Sequence, residues 1–137
     1  MIIGYTIGTF DLFHIGHLNM LKLARELCDK LIVGVNSENY AASYKKHSLI
    51  IPLCERMEII KSLKCVDEVF AVHNLDHIEI CKKYKCDVYF IGDDWKGAVH
   101  FALQEKEILQ TGCRIEYLPY TQHISSTKLR EQIKNSL

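Results

Sequence analysis

Short apolar runs alternate with helix-period segments along the whole of this chain, and that alternation restricts the fold more than any other feature. Residues 1–7 are apolar apart from Gly4 and Thr6. Leu18, Leu21, Leu23, Ala24 and Leu27 follow at helical positions, which predicts a helix from about His17 to Cys28. Residues 31–35 form a short run rich in branched side chains, suited to a parallel strand covered on both faces. Residues 41–51 are weakly periodic and read as a loop or short helix near a cleft mouth. Pro52 suits the first turn of a helix that carries Leu53, Met57, Ile60 and Leu63 on one face. Residues 66–72 and 88–91 read as strands three and four, with Ile78, Ile80, Cys81 and Tyr84 marking a helix between them. A helix over about 99–109 stops near Gly112, residues 114–118 alternate as strand five until Pro119, and a last helix runs from Ser125 to about Ile133. The expected fold is α/β: one Rossmann-like open parallel sheet of about five strands with helices on both faces, in a single domain over 1–137. In such a sheet a ligand lies at the carboxyl ends of the strands, where strand order reverses.

Charge narrows the partners. Lys+Arg and Asp+Glu both number 17, so no global field favours nucleic acid or an anionic membrane. No apolar run is long enough to span a bilayer, and no segment resembles a signal peptide. The six cysteines at 28, 54, 65, 81, 86 and 113 contain no C-x-x-C and read as reduced structural thiols. A cytoplasmic protein is the expectation.

Every polar motif in the chain follows an expected strand. Gly8 to His17, G-T-F-D-L-F-H-I-G-H, leads from strand to helix. Its two histidines are three apart and can face one cleft beside the free N–H groups of a helix start, which favour phosphates. A metal pair there lacks further ligands nearby. At the other end, Ser125-Ser126-Thr127-Lys128-Leu129-Arg130 puts hydroxyls at a helix start, where they can cap it or hold phosphate. Lys45 and Lys46 lie on an expected loop that can close over a triphosphate. Gly92-Asp93-Asp94-Trp95-Lys96-Gly97 sets two carboxylates after a strand, where they could bind a metal, accept ribose hydroxyls or form a turn. His47, His73, His77, His100 and Trp95 form no further constellation. His73 and His77 read as a solvated pair on one helix face.

The string G-T-F-D-L-F-H-I-G-H resembles the H-x-G-H signature of the nucleotidyltransferase superfamily, and its lead-in is most similar to the cytidylyltransferases. Ile124 to Arg130 resembles the same family's I-S-[ST]-T-x-[IL]-[RK] segment. G-D-D-W-K-G and Val66-Asp67-Glu68-Val69 resemble the glycerol-3-phosphate cytidylyltransferases in particular. The resemblance implies transfer of CMP from CTP to a small phosphomonoester acceptor, glycerol 3-phosphate being the best single choice. It implies catalytic roles for His14, His17 and Lys46, with Lys45 a near alternative to Lys46. Gly8, Thr9, Phe10, Asp11, Gly16, Gly92 and Asp94 would then bind nucleotide together with Ser125, Ser126 and Thr127. Phosphate or acceptor contacts would come from Lys45, Arg56, Lys64, Tyr120 and Arg130. Mg²⁺ would ride mainly on the phosphates, with Asp11 a weak ligand, and the enzyme would be a homodimer. Two other readings stay open: an ATP-using adenylyltransferase of the same fold, and a nucleotide-binding module without turnover. The chain departs from the pattern at Tyr120 and Lys64, where the family has arginine, and at His123, where it has glycine before Ile124. Lysine offers a point charge in place of a bidentate fork.

Overall fold

In the computed structural model, which describes residues 1–42 and 48–137, the five expected strands form one sheet. They are β1 (Ile3–Gly8), β2 (Lys30–Asn36), β3 (Glu68–Val72), β4 (Val88–Gly92) and β5 (Arg114–Leu118). All neighbours are parallel, in the order β3-β2-β1-β4-β5. The described helices are α1 (Ile15–Glu26), α2 (Glu38–Ala42), α3 (Leu53–Lys61), α4 (His77–Tyr84), α5 (Ala102–Gln110) and α6 (Ser126–Asn135).

Alternation along the strands sorts the core into two layers. Leu31, Val33, Val35, Val88 and Phe90 pack with Leu21 and Ala24 of α1 and Ile60 of α3. Tyr5, Ile32, Tyr89 and Ile91 face the other way, onto Cys81 of α4 and Ile108 of α5. Each central strand thus buries both faces, which is why its sequence is a continuous apolar run.

One device recurs at the amino edge of the sheet. Asp29, Asp67 and Asp87 each stand just before a strand, and their carboxylates accept the backbone N–H of Ile2, Leu31 and Ile3 at 2.6, 2.8 and 2.8 Å. Asp67 also meets Arg25 at 3.2 Å, so the V-D-E-V element serves sheet assembly.

Element ends differ from expectation in instructive ways. Helix α1 starts at Ile15 because His14 itself caps it. Pro52 is the N-cap of α3, outside the first turn. The helix expected from Val99 opens as a 3₁₀ turn, Val99–Phe101, before α5. Gly112 lies just past α5 with φ of 86°, a conformation that suits glycine.

Candidate active site

The sheet itself makes the cleft. β1 pairs with β2 along its whole length, but with β4 only at Gly4–Val88 and Tyr5–Tyr89. Beyond those pairs the two strands part, held by one side chain: Thr6 Oγ1 donates to the Phe90 carbonyl at 2.8 Å. This is the point where strand order reverses, and a cleft of about 750 Å³ opens there. That volume lies in the upper part of the range for small-molecule sites.

On the α1 side, His14 and His17 brace each other. The Gly16 N–H donates to His14 Nδ1 at 3.0 Å, and the His14 N–H donates to His17 Nδ1 at 3.2 Å. The rings stack with centroids 3.8 Å apart, and Phe13 stacks on His17 at 5.3 Å. A nitrogen that accepts carries no proton, so each neutral ring bears its proton on Nε2. Burial lowers the pKa of His14, which keeps that ring neutral. Each ring thus keeps its N–H on Nε2, and both residues line the cleft. Gly16 is required by close approach, since a Cβ there would stand 2.8 Å from the His14 ring.

Asp11 ties three segments together. Its carboxylate accepts from the Ile50 and Ile51 N–H groups at 2.9 Å each, and pairs with Arg130 of α6. Burial would raise its pKa, but the two backbone donors and the guanidinium outweigh it and hold the value below the ordinary range. The flanking Phe10 and Leu12 have φ of 54° and 51°, so the loop is wound tightly around this carboxylate. Asp11 therefore does not fit a Mg²⁺ ligand: both oxygens are taken and the residue is 2 % exposed. Among the described residues, no three His, Cys, Asp or Glu side chains form a metal-holding group.

Helix α6 enters from the far end of the chain. Ser125 caps it by accepting from the Lys128 N–H at 3.0 Å, and Ser126 Oγ donates to the Asp11 carbonyl at 2.6 Å. Both serines line the cleft with Arg130, whose Nε is buried with no partner among the described residues. Thr127 points elsewhere: it is exposed and outside the wall, one helical step of about 100° past Ser126. Gly8, Thr9, Phe10, Gly16 and Gly92 line the cleft.

Two expected contacts need correction. Arg56 is 1 % exposed and supports the cleft from behind: its guanidinium donates to the Thr9, Asn36 and Ile51 carbonyls at 2.7 Å each and meets Glu38 at 3.4 Å. Lys64 is exposed in the turn leading into β3, at the amino edge of a parallel sheet whose cleft is at the carboxyl edge. Asp94 is exposed beside the Gly92 turn, its Oδ1 2.9 Å from where a Gly92 Cβ would stand, and its Oδ2 accepts from the Tyr120 hydroxyl at 3.1 Å. The Tyr120 ring does line the cleft, against Gly92, where a Cβ would stand 2.7 Å from it. Burial, then the Asp94 charge, pushes the Tyr120 phenol up to about 12. Lys45 and Lys46 lie outside the described residues.

The α4–α5 side of the cleft was not anticipated. Leu75, Trp95, His100 and Gln104 line it, with the Trp95 and His100 rings 4.8 Å apart. His77 is 1 % exposed and is no solvated partner of His73. All six cysteines are free thiols, and no helix among the described residues is long and apolar enough to cross a membrane.

The cytidylyltransferase-like family matches residues 5–132. A glycerol-3-phosphate cytidylyltransferase of Bacillus spizizenii is 36% identical over 132 residues, covering 93% of this chain and 94% of its own. An FAD synthase of Thermococcus sibiricus is 33% identical, covering 92% of this chain and 88% of its own. The crystal structure of a lipopolysaccharide core biosynthesis protein from Thermoplasma volcanium superposes with a TM-score of 0.73 at 25% identity, over 90% of this chain and 99% of that one. The match runs through the histidine loop, the Gly92 turn and the α6 serines alike, and by it this chain belongs to the cytidylyltransferase-like family.

Proposed function

We propose that this protein transfers CMP from CTP to a small phosphorylated alcohol, glycerol 3-phosphate first, and releases pyrophosphate. The observation that carries the reading is the braced pair His14–His17 at the point where β1 and β4 part. A phosphate oxygen of the acceptor bonds to the α-phosphorus. The bond from that phosphorus to the bridging oxygen breaks, and its electron pair leaves with pyrophosphate. The attacking oxygen is already anionic, so positioning and charge stabilisation supply the catalysis.

In this reading the Nε2–H groups of His14 and His17 donate to oxygens on the α-phosphate as charge builds there. The amino end of α6, with Ser125, Ser126 and Arg130, holds the outer phosphates. Lys46 or Lys45 adds charge over them. Mg²⁺ enters as part of the substrate, on the triphosphate. Gly92 and Tyr120 border the nucleoside. Glycerol 3-phosphate is favoured by the name shared by three relatives at 32–36% identity. The FAD synthase relative favours a second reading, an adenine nucleotide in the same place. A homodimer in the cytoplasm accompanies the first reading and is checked by sedimentation.

Thermal shifts with CTP, ATP, GTP and UTP, run beside pyrophosphate release, test the proposal, because a ligand selective for the fold raises its melting point. CTP is expected to give the largest shift, and release is expected only with an acceptor present. Equal shifts for ATP favour the second reading, and binding without release leaves a nucleotide-binding module.

A further inference from the structure

We infer that Gln104 reads the acceptor, and that the buried His77 is the positioning residue that turns its amide nitrogen toward the cleft. The inference rests on the CMP-transfer reading above and names the acceptor half of that cleft.

Every described residue assigned to the nucleotide lies on the α1–α6 side or at the Gly92 turn and Tyr120 beside it. In phosphoryl transfer the attacking and leaving oxygens stand roughly in line, so the acceptor must approach from the side away from pyrophosphate. The wall remaining is made by Asn36 at the end of β2 and Tyr40 beyond it, and by α5 and the segments beside it, where Gln104 and His100 are the polar side chains and Leu75 and Trp95 the apolar ones.

A directed chain of hydrogen bonds fixes Gln104. Its Oε1 lies 3.3 Å from His77 Nε2 and can only accept, so His77 carries its proton on Nε2. His77 Nδ1 must then accept, and the Tyr5 hydroxyl, 3.0 Å away, donates to it. The Tyr5 oxygen in turn accepts from Cys81 Sγ at 3.4 Å. Tyr5 and His77 are 0 % and 1 % exposed, beneath the cleft floor, and Tyr89 packs on both rings at 4.7 and 5.0 Å. The chain Cys81–Tyr5–His77–Gln104 is read in this direction, with the His77 proton on Nε2. In that direction the two amide N–H donors of Gln104, a residue of the cleft wall, are left for the oxygens of a phosphomonoester or its hydroxyls. Without His77 the amide could turn over and present its carbonyl, an acceptor that repels phosphate.

Steady-state kinetics on the full chain with CTP and glycerol 3-phosphate test this. Gln104→Ala is expected to raise the acceptor KM about tenfold, the scale of one hydrogen bond to a charged group, while the CTP KM stays within twofold. Gln104→Glu should raise it further. His77→Phe should match Gln104→Ala, and the double variant should be no worse than either alone, because coupled residues do not add. An unchanged acceptor KM in Gln104→Ala, or an equal rise in both KM values, overturns the inference while leaving CMP transfer standing. Additive losses overturn the positioning role of His77. If His77→Phe does not fold, the two Gln104 variants decide alone. A wild-type protein that forms no CDP-alcohol from any phosphomonoester overturns the CMP-transfer reading and this inference with it.

Discussion

His14 and His17 hold one another through Nδ1: the His14 N–H donates to the His17 ring, and the His14 ring caps the helix on which His17 sits. The same contacts that start α1 choose the tautomer of both rings. Stability and activity therefore separate in one set of variants. His14→Ala removes a cap and should cost about 1 kcal/mol of stability, together with at least about a hundredfold in turnover. His14→Asn supplies a cap oxygen and should recover the stability without recovering turnover. Urea unfolding and kcat, measured on both variants, check the split.

The two buried or half-buried rings also set an acid limit. The pKa values of His14 and His77 are lowered from 6.5 by burial. Between the lowered value and 6.5 the unfolded chain binds more protons than the fold, so stability rises with pH there. Their contribution is complete above pH 6.5 and is lost as pH falls through the lowered folded values. Urea midpoints at pH 8, 7, 6 and 5 should be level for the first two and fall for the last two. In His77→Phe the fall should be shallower.

Arg56 is a support of the cleft whose loss is felt through the fold. Its guanidinium joins the end of β1, the end of β2 and residue 51 through carbonyl oxygens. Arg56→Ala leaves those acceptors buried and unpaired and should destabilise by about 3 kcal/mol or more. Arg56→Lys should recover only a part, since an ammonium cannot span the three carbonyls. Chemical denaturation of both variants gives the comparison.

Asp11 offers a sharper contrast, between scaffold and metal ligand. As a scaffold, its replacement by Asn should lower stability and kcat/KM while the free Mg²⁺ concentration for half-maximal rate stays within about twofold. A ligand lost from a metal site typically weakens metal dependence by ten- to a hundredfold. Titrating Mg²⁺ at saturating CTP distinguishes the two.

The fold was legible because its signals are local. Continuous apolar runs at 31–35 and 88–91 announced strands buried on both faces, and each lies inside an observed strand. The histidine loop and the α6 serines were legible as motifs, and the structure brings them together at the Asp11 carbonyl. What escaped the sequence depends on long-range partners. Arg56 was expected at the phosphates, and its place behind the cleft shows only once β1, β2 and residue 51 supply carbonyls for it. His77 reads as solvated until Tyr5, 72 positions earlier, and Gln104, 27 later, close around it. Lys64 was misplaced because a motif carries no information on which edge of the sheet it will occupy. The start of α1 was missed by two residues because a histidine ring, outside the usual Ser, Thr, Asp and Asn caps, performs the capping.

The central claim is tested most directly by kcat/KM for CTP and for ATP with glycerol 3-phosphate as acceptor, following CDP-glycerol and pyrophosphate together. This ratio compares transition-state binding of the two nucleotides. The account predicts equal amounts of the two products, a CTP value at least about tenfold above that for ATP, and a loss of at least about a hundredfold in His17→Ala. Pyrophosphate release that is equal or faster with ATP, or near-normal turnover in His17→Ala, would contradict it.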